Sequence, residues 1–173
     1  MNQHNRRSIR LKEFDYSTPW WYYITICTYN RQNLFGQIIN GKMILSELGI
    51  IVEEEWLHTE KLRSNIELDY YIIMPNHFHG ILIINSRDKA RLVHTSETHQ
   101  FGKPVADSLS SIVGSFKSAV TKRINEFRNS PGKPVWQKNY YEHIIRNEND
   151  LNNIRKYLEL NPLKWEIDEY YNK

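Results

Sequence analysis

Residues 70–85 read YYIIMPNHFHGILIIN. Two apolar runs, Tyr70 to Met74 and Ile81 to Ile84, flank Pro75-Asn76, a pattern that predicts two buried strands joined by a tight turn. Residues two apart on a strand share a face, so His77 and His79 leave the second strand side by side and Phe78 enters the opposite layer. Two adjacent imidazoles on a rigid strand make half of a metal site, although imidazole suits zinc, manganese, iron and copper alike and does not choose the ion. A turn cap and a satisfied core histidine form the competing reading of the same pair.

Upstream, Trp20 to Tyr29 is rich in aromatic and β-branched residues and predicts a long strand. Asn40-Gly41, between Phe35 to Ile39 and Met43 to Leu45, marks a hairpin, because both residues tolerate the positive φ of a type I′ turn. The sheet is therefore expected to begin with a strand and this hairpin. Ser46 is placed to cap a helix whose buried face carries Leu48, Ile51, Val52 and Trp56.

Downstream, 86–107 turns polar and reads as a long loop or insertion. Leu109, Ile112, Val113, Phe116, Val120 and Ile124 repeat at three and four and predict a helix over 108–128. Val135 to Arg146 reads as an extended segment closing the sheet. Asn147 or Asn149 caps a last helix over 150–160, with Leu151, Ile154 and Leu158 as its buried stripe and Pro162 as its stop. Tyr157 and Asn161, four apart, project together from one edge of that stripe.

A chain of 173 residues is long enough to bury a core, and it divides into a basic arm 1–19, one domain 20–165 and a tail 166–173. No apolar run approaches the roughly 20 residues of a membrane span, and the basic N-terminus has no apolar segment behind it, so neither membrane nor secretory signal is expected. Cys27 is the one cysteine and reads as a reduced thiol of a cytoplasmic protein. Charge is segregated. Residues 1–45 and 101–146 together carry fourteen basic and five acidic side chains, a balance of +9, and the rest of the chain carries −6. Such blocks suit one side facing a polyanion.

The stretches TICTYNR (25–31), LFG (34–36), MPNHFHG (74–80), FKSAV (116–120), WQKNYYEHIIR (136–146) and YLELNP (157–162) cover most of the chain. Together they resemble the REP-associated tyrosine transposases, IS200-like members of the His-hydrophobe-His single-strand nucleases and transposases. The resemblance implies an α+β, ferredoxin-like antiparallel sheet with helices packed on one face. It implies His77 and His79 as metal ligands, Asn161 as the ligand completing the site with His143 as its rival, and Tyr157 as the nucleophile. The expected cofactor is a divalent ion, Mg²⁺ or Mn²⁺, and the expected reaction cuts and rejoins single-stranded DNA, at hairpin or REP-type elements, through a 5′-phosphotyrosyl intermediate. Arg6, Arg7, Arg10, Lys117 and Arg146 are the candidate DNA contacts, and the chain is expected to act as a monomer or homodimer. Two rivals are a domesticated, noncatalytic binder of hairpin DNA or RNA and a histidine-triad hydrolase. The latter needs a third histidine where Ile81 stands.

Overall fold

The computed structural model describes residues 19–86 and 107–171. The arm carrying Arg6, Arg7 and Arg10 and the polar segment 87–106 lie outside the described residues.

The aromatic and β-branched run forms strand β1 (Trp20–Cys27). Asn40 and Gly41, at φ of 50° and 71°, turn strand β2 (Gly36–Ile39) into β3 (Lys42–Leu45). Ser46 accepts a hydrogen bond from the Gly49 amide at 3.2 Å and starts helix α1 (Glu47–Leu62). Strands β4 (Ile66–Met74) and β5 (His77–Ile84) follow, separated only by Pro75-Asn76. Ser108 caps helix α2 (Leu109–Phe127), and after strand β6 (Tyr141–Ile144) Asn147 caps helix α3 (Glu148–Leu160), accepting from the Asp150 amide at 2.9 Å.

The main sheet runs β4-β5-β1-β6 with every neighbouring pair antiparallel. With α1 and α2 as the crossovers, this is the βαββαβ order of a ferredoxin-like α+β fold. The hairpin does not extend this sheet as the sequence reading has it. β1 is already paired with β5 on one side and β6 on the other, so β2 and β3 pair with each other alone. The segment 135–146 also pairs less than expected. Trp136 makes an isolated bridge to Thr28, and Lys117 on α2 takes up the carbonyls of Gln137 and Lys138, so regular pairing begins only at Tyr141.

Tyr22, Ile24 and Ile26 of β1 and Phe78 and Leu82 of β5 form the core with Val52, Trp56, Ile112, Phe116 and Val120 of α1 and α2. Full burial of each such side chain is worth about 1.5–3 kcal/mol. Trp56 lies 4.7 Å from Phe78 and 5.3 Å from Phe116 between ring centroids, over a gap that Gly80 leaves open. While α1 and α2 share this face as expected, α3 crosses the opposite one, its Leu151 and Leu158 packed on Tyr23 and Ile81. The physical reason is that β1 and β5 are apolar at both parities, so each face has an apolar surface to cover. Arg155 ties α3 to β4 through Asp69. The face that carries His77 and His79 is therefore the one that α3 crosses.

Beyond α3, Asn161 keeps helical geometry at φ −59° and ψ −44° although Pro162 follows, because Pro162 opens a 3₁₀ turn over Pro162–Ile167. Residues 168–171, part of the expected tail 166–173, continue from this turn onto the domain: the Glu169 carbonyl accepts from Arg31 Nη1 at 2.8 Å and the Tyr170 carbonyl from Asn76 Nδ2 at 2.7 Å.

Candidate active site

The period of β5 brings the two imidazoles onto one face, fully buried, with ring centroids 4.5 Å apart. Each ring is held through Nδ1. Asn76 Nδ2 donates to the carbonyls of Arg31 (3.3 Å) and Tyr170 (2.7 Å), so the atom it turns toward His77 is Oδ1. A carbonyl oxygen only accepts, hence His77 Nδ1, 2.8 Å away, carries the proton and Nε2 keeps its lone pair. His79 Nδ1 lies 2.8 Å from both Thr25 Oγ1 and Tyr23 Oη, which reach it from the neighbouring strand β1. The Nε2 atoms of both rings are buried and have no hydrogen-bond partner. Burial holds both histidines neutral, His77 well below the ordinary imidazole range and His79 at about 3, with the neighbouring His79 and then Arg31 adding to the effect on His77.

From the other side α3 brings Tyr157 and Asn161. Asn161 is buried, its Oδ1 likewise without a partner, and its Nδ2 donates to Asp168 at 3.1 Å. The Tyr157 ring meets that of His79 edge to face, centroids 5.6 Å apart. Its phenol is pushed up to about 12 by burial first and by the charges of Asp168 and Glu169 next, against a downward pull from the Asn161 side chain, so it is neutral at pH 7.

Two imidazole nitrogens and an amide oxygen, all buried and without a hydrogen-bond partner, fit a divalent cation: leaving such polar atoms buried and unmet is costly, and imidazole nitrogen and amide oxygen both serve as ligands. Among the described residues no group of three His, Cys, Asp or Glu side chains is arranged to hold an ion, so any third protein ligand beside the two histidines would be of another type, such as an amide oxygen. His143 stands opposite Tyr23 on edge strand β6, with Nε2 2.9 Å from Asp150 in the first turn of α3. Lys117 Nζ donates to the Gln137 and Lys138 carbonyls at 2.8 and 3.1 Å. Arg146 is exposed and follows Ile145, whose amide binds the Trp21 carbonyl. Trp21 lies four residues from Thr25, the partner of His79, about 13 Å at the rise of a strand. Of the candidate residues, the structure thus brings His77, His79, Tyr157 and Asn161 together and leaves His143, Lys117 and Arg146 on other partners or at the far end of the sheet.

Three residues take roles that the sequence reading does not assign, Asn76 although it stands within MPNHFHG. Asn76 orients His77, Asp168 binds Asn161, and Tyr170 packs on His77 with ring centroids 4.6 Å apart. The available signal was the aromatic spacing of Trp165, Tyr170 and Tyr171 after Pro162, which marks a packed turn rather than a free end.

The ferredoxin-like fold is similar to that of a solved REP-associated tyrosine transposase bound to a REP hairpin. The two share a TM-score of 0.52 at 17% identity, over 95% of this chain and 74% of that one. The chain belongs to one family with an uncharacterized protein of Haemophilus influenzae, 40% identical over 171 residues that cover 97% of this chain and 94% of the relative. A structure of a candidate transposase from Deinococcus radiodurans aligns with 87% of this chain and 95% of its own at 15% identity and a TM-score of 0.44. No family model matches the chain.

Proposed function

We propose that this protein is a metal-dependent nuclease and transposase of single-stranded DNA, acting at hairpin elements, in which Tyr157 is the nucleophile. The observation that carries this reading is that three buried polar atoms, His77 Nε2, His79 Nε2 and Asn161 Oδ1, have no hydrogen-bond partner, while the Tyr157 ring meets that of His79 and Asn161 follows Tyr157 by one helical turn. His77, His79 and Asn161 would hold Mg²⁺ or Mn²⁺, which would supply polarisation of a scissile phosphate and offset the charge that develops on its oxygens.

The chain's own residues do the rest. Tyr157 Oη forms a bond to phosphorus as the bond from phosphorus to the 3′-oxygen breaks, leaving a 5′-phosphotyrosyl enzyme and a free 3′-hydroxyl. The phenol proton passes to water as the new bond forms, and the departing 3′-oxygen takes a proton from water. Because the phosphotyrosyl bond keeps the energy of the phosphodiester, attack by another 3′-hydroxyl rejoins strands without a nucleotide cofactor. Packing of the α3 stripe holds the backbone at Tyr157 and Asn161, while hydrogen bonds at Nδ1 hold the imidazoles, so the groups are aligned before DNA arrives.

The test is incubation of the protein with a labelled hairpin oligonucleotide bearing single-stranded flanks, with Mn²⁺ or with chelator. A denaturing gel is expected to show a covalent protein-DNA adduct only with the metal. Tight hairpin binding without any adduct identifies a noncutting binder instead.

A further inference from the structure

A metal-binding amide has to present its oxygen, and an asparagine side chain can turn by 180° with little change in shape. In the flipped state Asn161 puts an NH₂ group where its oxygen stood, and an NH₂ group has no lone pair to offer a cation and repels it. Something must select the orientation. Asp168 Oδ2 lies 3.1 Å from Asn161 Nδ2, and a carboxylate oxygen only accepts, so the group facing Asp168 is the NH₂ and Oδ1 is turned the other way. That Oδ1 is buried and unpartnered. Asp168 is itself fixed, because its Oδ1 accepts from the Tyr170 amide at 2.8 Å, and the 3₁₀ turn Pro162–Ile167, anchored by buried Trp165, returns it to Asn161 seven residues later.

We infer that Asp168 is the positioning residue of the third metal ligand: it holds the Asn161 amide with its oxygen toward the histidine pair, as Asn76 holds His77. This rests on the reading of His77, His79 and Asn161 as metal ligands. Partners of this kind change metal affinity by about 10–100-fold when removed.

The experiment measures Mn²⁺ uptake by the metal-free full chain, from loss of the free-ion paramagnetic resonance signal, for wild type, Asp168→Ala, Asp168→Asn, Asn161→Ala and the double alanine variant. Thermal unfolding confirms that each is folded. Asp168→Ala is expected to bind about 10–100-fold more weakly, with Asp168→Asn, which keeps one acceptor oxygen, in between. Asp168→Ala is expected to add nothing once Asn161 is already alanine, because no amide is left to orient. A structural role in holding the 168–171 segment would weaken binding in both backgrounds, so additive losses overturn the inference. Wild-type affinity in Asp168→Ala overturns it alone and leaves the metal reading standing. A wild-type chain that takes up no Mn²⁺ removes both.

Discussion

The rings of Tyr157 and His79 meet at 72°, centroids 5.6 Å apart, while Tyr170 lies against His77 at 4.6 Å and against His79 at 6.1 Å. Three phenols therefore meet the histidines, counting Tyr23 on β1, and only Tyr157 is held on a helix with Asn161 one turn later. Tyr157→Phe removes one oxygen from a ring that is 42% exposed, so stability is expected to change by no more than about 0.5 kcal/mol. The covalent adduct is expected to disappear with hairpin affinity unchanged. Peptide mapping of the adduct in Tyr157→Phe, Tyr170→Phe and Tyr141→Phe checks this, and a DNA-linked peptide containing residue 170 or 141 assigns the nucleophile elsewhere.

The buried histidines make the metal-free protein sensitive to acid. Their folded-state values lie below the ordinary 6.5, so between pH 6.5 and about 3 for His79 the unfolded chain binds protons that the folded chain does not. Their contribution is intact above 6.5 and is lost as pH falls, by up to about 1.4 kcal/mol per pH unit for each histidine. Urea unfolding of chelator-treated protein from pH 7 to pH 4.5 is expected to show a shallower loss for His79→Phe than for wild type. Parallel lines refute it.

Lys117 is half-buried, and its ammonium holds two backbone carbonyls in the 135–138 segment, while burial pulls its own titration downward. Lys117→Met keeps the stem and leaves those carbonyls to water. The expected cost is about 1–2 kcal/mol, read as a lower denaturant midpoint. Unchanged stability with weakened DNA binding would make Lys117 a phosphate contact instead.

An open groove between α2 and the 132–138 segment is lined by Lys117, Lys122 and Lys138 and by no carboxylate, which suits it to a phosphate backbone. Each contact to single-stranded DNA steepens the fall of log affinity with log salt by about 0.7. Lys122→Gln with Lys138→Gln is therefore expected to lower the slope by about 1.4 if both touch phosphate. Fluorescence anisotropy of a labelled hairpin across a salt series measures it, and an unchanged slope places the DNA elsewhere.

A Cβ at Gly80 would lie 2.7 Å from Trp56 Cζ2 and 2.9 Å from the Phe78 ring. Gly80→Ala is expected to destabilise by about 1–3 kcal/mol through overpacking. Trp56→Leu in the same chain makes room and is expected to cost less in that background than in wild type, a coupling that a double-mutant cycle in urea resolves.

What the amino-acid sequence determines by itself here is local and periodic. The period of two sets His77 and His79 on one face of β5, the period of 3.6 sets Tyr157 beside Asn161 on α3, and Asn40-Gly41, Ser46, Ser108 and Asn147 mark their turn and helix starts through their own backbone and side-chain chemistry. Only the tertiary structure decides which face α3 covers, because β1 and β5 are apolar at both parities and either face offers a core. It also decides that the hairpin stands apart from the main sheet, since β1 has no free edge to give it. The contacts that orient the two imidazoles and their neighbours lie furthest from sequence logic. Asn76 meets Tyr170 across 94 positions, and Thr25 meets His79 across 54. Such contacts have no period and no local propensity, and exist only because strand register and the turn after Pro162 bring distant polar atoms to hydrogen-bonding distance in the same buried space.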